Sequence, residues 1–132
     1  MTVDFKGLLV LDRSSGGRRT DPYTLLLNHP SILDAFESVT YTPHLDHALK
    51  SIRGRKIPPV VVIGPGFLAT YSQKTKTLFK LFAAVGVPDD KMVVIHEEPY
   101  GQPLRCEYRG KLVNETIPSV VFRAAGLQPF PG

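Results

Sequence analysis

Pro58-Pro59-Val60-Val61-Val62-Ile63-Gly64-Pro65-Gly66 opens the stretch that decides the fold. Helically spaced residues follow from Ser72 to Val85, then Gly86-Val87-Pro88 and Met92-Val93-Val94-Ile95-His96. An unbroken apolar run of four, a glycine turn, an amphipathic stretch and a second apolar run make a β-α-β unit. Such a unit imposes parallel strands and a right-handed crossover. In open sheets of this kind ligands sit beyond the carboxyl ends of the strands. The residues after Ile63 and Ile95 are therefore the first place to look for function.

Working outward, Gly7 to Leu11 reads as a first buried strand closed by Asp12, and Ser38 to Thr42 as a β-branched second strand. Pro30 opens a short helix through Phe36, at a position where its missing N–H costs nothing. Leu45, Ala48, Leu49 and Ile52 give the apolar face of a helix from about His44 to Arg53. Ser72 is expected to cap the next helix, Leu78, Phe79, Phe82 and Val85 to form its buried stripe, and Gly86 to end it. Lys91 to His96 is the fourth strand. Leu104 to Tyr108 and Lys111 to Glu115, joined by Arg109-Gly110, predict a hairpin. Thr116 caps a last helix, with Pro118 in its first turn and Gly126 past its end. Tyr23 to Asn28 fits either helix or strand. The whole predicts one α/β domain over residues 1–132, a Rossmann-like or flavodoxin-like three-layer sandwich with a mostly parallel sheet and a late β-hairpin.

Length and composition narrow the classes. A chain of 132 residues can bury a core without metal or disulfide support. Its single cysteine, Cys106, excludes an internal disulfide framework and a cysteine-rich zinc site. No apolar run approaches the roughly 20 residues needed to span a bilayer, and Met1 to Lys6 lack the order of a secretion signal. The expected location is the cytoplasm. The formal net charge of +4 favours anionic partners. It is too small to argue for nucleic acid by itself.

Several residues are candidates for chemistry. Gly64 and Gly66 could bring backbone N–H groups close to an anion, although Pro65 removes one donor and neither a P-loop nor a Gly-x-Gly-x-x-Gly motif is present. The plainer role of these glycines is a tight turn. Asp12 could hold a cation or act as a base, or simply start a turn. His96 and Glu97 are catalytic or cation-binding candidates if the fourth strand lies near the first and third. Arg13, Arg18 and Arg19, with Lys74 and Lys76, would neutralise phosphate. His44 and His47 lack a third ligand nearby, and no metal site is assigned. Cys106 lacks the Cys-x5-Arg spacing of a phosphatase loop, because Leu112 stands where arginine is needed, and reads as a buried thiol.

Leu45-Asp46-His47-Ala48-Leu49, with Arg53, Lys56, Pro58 and the strand ending Gly64-Pro65-Gly66, resembles the SanA/ElyC/YdcF-like family of bacterial Rossmann-type proteins. The likeness runs through Gly86-Val87-Pro88-Asp89 to Ile95, about 50 residues. It implies a Rossmann-type fold, envelope-related roles and small-ligand binding without a settled reaction. Pro43-His44, His47 and Pro65 depart from the family pattern, and no acid opens the next helix. Ser38 to Ile52 is also similar to the second strand and helix of degenerate receiver domains. Ile63-Gly64 stand where a receiver needs its aspartate.

The expected function is binding of a small anionic ligand, a nucleotide or phosphorylated metabolite, at the carboxyl ends of the parallel strands. No complete catalytic constellation accompanies it, and no cofactor is assigned. The rival is a non-catalytic pseudo-receiver-like module that binds a protein partner. A third reading, a metal-dependent nuclease, needs Asp12 and Glu97 within about 4–6 Å of each other.

Overall fold

The computed structural model describes residues 7–12, 30–53, 55, 57–71, 73–96 and 105–127. Strand β1 (Gly7–Leu11) is followed by α1 (Pro30–Ala35), β2 (Ser38–Thr42), α2 (Leu45–Ile52) and β3 (Val60–Ile63). Then come α3 (Pro65–Leu68), α4 (Thr75–Ala84), a 3-10 turn (Asp89–Lys91), β4 (Met92–His96), β5 (Arg105–Tyr108), β6 (Lys111–Val113) and α5 (Ile117–Ala124). One six-stranded sheet runs in the order β2-β1-β3-β4-β5-β6. The first four strands are mutually parallel, and β5 and β6 are antiparallel additions.

The burial follows from this order. β1 and β3 are buried at every residue, and β4 at all but His96. That is why their sequences are continuous apolar runs rather than alternations. Leu8, Val10, Val60, Val62, Val93 and Ile95 face one layer, containing α1 and α5. Leu9, Leu11, Val61, Ile63, Met92 and Val94 face the other, containing α2, α3 and α4. The chain moves one way from β1 to β2 and the other way from β2 to β3. The helices change faces at that reversal, as same-handed crossovers require. The expected Rossmann-like three-layer α/β sandwich with a late hairpin is the fold observed.

Helix ends follow local chemistry. Val87 N–H donates to Phe82 O at 2.9 Å and Gly86 N–H to Ala83 O at 3.0 Å, with Gly86 at φ 97°. This is a Schellman closure with buried Val87 behind it. The end of α5 repeats it through Gly126 and Leu127. Thr116 Oγ1 accepts from Ser119 N–H and caps α5 as expected. Arg109 and Gly110 both adopt positive φ, which makes the hairpin turn type I′.

One short helix is unexpected, and the helix expected from Ser72 to Val85 spans Thr75–Ala84. The chain turns helical immediately after β3, at Pro65, and a separate helix begins at Thr75 with Lys74 at its N-cap. Ser72 lies outside the described residues, as do Gly54, Tyr23 to Asn28 and the tail beyond Leu127. Among the described residues no helix is long and apolar enough to cross a membrane.

Candidate functional site at the strand ends

The strand order reverses between β1 and β3, and the two residues that end those strands meet there. Gly64 N–H donates to Leu11 O at 2.9 Å, and Asp12 N–H to Thr42 O at 3.2 Å. These bonds carry the ladder one step past the strands and hold Asp12 between β2 and β3. Asp12 is 2% exposed. Phe67 N–H donates to its Oδ1 at 3.0 Å. Phe67 is the third residue of α3, whose N-cap is Gly64 and whose first residue is Pro65. Asp12 thus acts from 55 residues away as the capping side chain that Gly64 lacks.

Gly64 is needed for space and not for backbone freedom. Its φ of −88° and ψ of 161° suit any residue. A Cβ on it would fall 2.2 Å from Cγ of Asp12 and 2.4 and 2.6 Å from the two carboxylate oxygens. No heavy atoms pack that closely. The carboxylate already fills the concavity where the helix end would otherwise face an anion. Gly66, half-buried in the first turn of α3, is the glycine left closer to solvent.

The other sequence candidates fall in three groups. Arg13, Arg18, Arg19 and Glu97 lie outside the described residues. His96 does not stand beside Asp12: β3 separates β4 from β1, two strand spacings or roughly 10 Å. Its Nε2 is instead 3.1 Å from Oε1 of Glu107, one strand over on β5. His44 and His47 are exposed and stack edge to face, with ring centroids 5.0 Å apart. Among the described residues no group of three or more His, Cys, Asp or Glu side chains could hold a metal ion.

Cys106 is fully buried, and burial first, then the Glu115 charge, pushes its thiol from an ordinary 9.0 up to about 11. It is a packing residue. Tyr108 is likewise raised, chiefly by burial and then by Asp90, against the opposing Arg109 and Arg123. Its hydroxyl donates to Asp90 O at 2.7 Å and ties the hairpin to the 3-10 turn.

Sequence reasoning missed two partners: the Phe67 amide for Asp12 and Glu107 for His96. For the first, the available signal was an acid ending one buried strand and a glycine ending another. For the second there was none until β5 was known to pair with β4. No family model, curated protein or solved structure matches the chain.

Proposed function

We propose that the chain binds a small anionic ligand, a nucleotide or phosphorylated metabolite, in the crevice beyond β1 and β3. The observation that carries this reading is the reversal of strand order at β1 and β3. Open α/β sheets bind ligands beyond the strand ends at such a reversal. Asp12 is a positioning residue in this scheme. Because its side chain occupies the end of α3, phosphate is neutralised by Arg13, Arg18 and Arg19, which follow Asp12 in sequence. Gly66 allows close backbone approach. The resemblance to SanA/ElyC/YdcF-like proteins implies binding of a small ligand, without naming its class.

A thermal-shift screen of nucleotides, phosphosugars and divalent ions tests it. A ligand at 100 times its Kd stabilises the folded chain by about 2.7 kcal/mol, a rise of several degrees for a domain of this size. Replacing Arg13, Arg18 and Arg19 together by alanine should abolish the rise. A screen in which no compound raises the melting temperature removes the reading. The second reading is the pseudo-receiver-like protein-binding module. It is favoured by the β2-β1-β3-β4 order, shared with flavodoxin-like and receiver folds, and by Ile63-Gly64 where a phosphorylated aspartate would stand.

A further inference from the structure

Away from the strand ends, no helix among the described residues packs on the β5–β6 part of one sheet face. The layer containing α2, α3 and α4 stops at β4: no side chain of β5 or β6 belongs to its core. Between α4 and the hairpin runs a groove of about 750 Å³ whose lining includes Lys76, Phe79, Asp89, Asp90, Glu107 and Arg109. Leu112 stands opposite Glu107 in the β5–β6 register and is 54% exposed, the most exposed large apolar side chain described. The Tyr108 hydroxyl bond to Asp90 O ties the 3-10 turn to the hairpin.

The charges choose the occupant. Glu107 is already in hydrogen-bond contact with His96. Lys76, Arg109, Asp89 and Asp90 are all exposed, and none of them forms an ion pair with another described residue. Two cations and two anions with no ion-pair partner among the described residues line the groove with Phe79, and Leu112 stands on the same sheet face as Glu107. Nucleic acid or a peptide of one sign would leave half of them facing like charge. A second copy turned through a two-fold axis matches both signs at once, since an isologous interface must be self-complementary. The shape agrees. The type I′ turn presents Arg109 at the hairpin tip, directly beside the groove that holds Asp89 and Asp90. β6 is only three residues long and begins with Lys111, features that discourage edge-to-edge sheet extension. Contact through the face is left.

We infer that the groove between α4 and the β5–β6 hairpin is a self-association surface, where Arg109 of each copy meets Asp89 and Asp90 of the other. Sedimentation velocity of the full chain across the micromolar range tests this. Wild type should pass from monomer to dimer as concentration rises. Arg109→Asp and Asp90→Arg should each weaken the dimer roughly tenfold or more, because like charges then face one another. The doubly reversed chain should recover most of the loss. Leu112→Glu, on an exposed position that leaves the fold intact, should weaken it as well. A single monomeric species at every concentration overturns the inference. So does a dimer indifferent to the charge reversals, or a double reversal that restores nothing.

Discussion

A methyl group on Gly64 is the smallest change that tests the contact with Asp12. Its Cβ would fall inside the carboxylate, so Gly64→Ala should cost about 1–3 kcal/mol as overpacking, read as a lower urea midpoint. Asp12→Ala leaves the Phe67 amide buried without this acceptor and should cost about 1–3 kcal/mol. The double variant should lose clearly less than the sum, because removing the carboxylate makes room for the methyl. Simple additivity would mean that the two residues do not share the space described. Cys106 offers a second residue-scale test. Its thiol is raised from 9.0 to about 11 in the folded chain. The protonated thiol therefore contributes stability below about pH 9 that is lost as pH rises toward 11. Alkylation of the native chain at pH 8 should be far slower than of the unfolded chain. Equal rates would contradict the burial.

At the scale of elements, most of the fold is legible because burial leaves periodic or continuous apolar patterns. β1 and β2 fall where Gly7-to-Leu11 and Ser38-to-Thr42 place them. The closing glycines of α4 and α5 are legible because left-handed closure has few solutions. Gly86→Ala should cost about 1–2 kcal/mol, the price of a Cβ at φ 97°, measurable as a lower melting temperature. A cost near zero would mean that the closure is not formed in solution. The helix at Pro65 is not legible. Four residues are too few to show a period, and Pro-Gly reads as a turn. Its capping group is supplied by Asp12, distant in sequence, so no local signal announces it.

At the scale of the molecule, the strand order is what neighbouring residues cannot reveal. Every parallel strand reads alike, and only β3 lying between β1 and β4 shows that Asp12 meets Gly64 rather than His96. The convergence of Asp12, His96 and Gly64, which depended on β4 lying near both β1 and β3, gives way to two separate arrangements: a buried carboxylate lock at the strand reversal and a histidine–glutamate pair over the hairpin. The proposed ligand site lies at the first. The second borders a groove suited to a second copy. Amide chemical-shift mapping separates these surfaces in one experiment. The ligand that raises the melting temperature most is titrated into isotope-labelled chain. Shifts should centre on Gly64, Gly66 and Phe67 and leave Phe79, Arg109 and Leu112 unmoved. Shifts centred on the hairpin, with the Gly66 and Phe67 amides unmoved, would contradict ligand binding at the strand reversal.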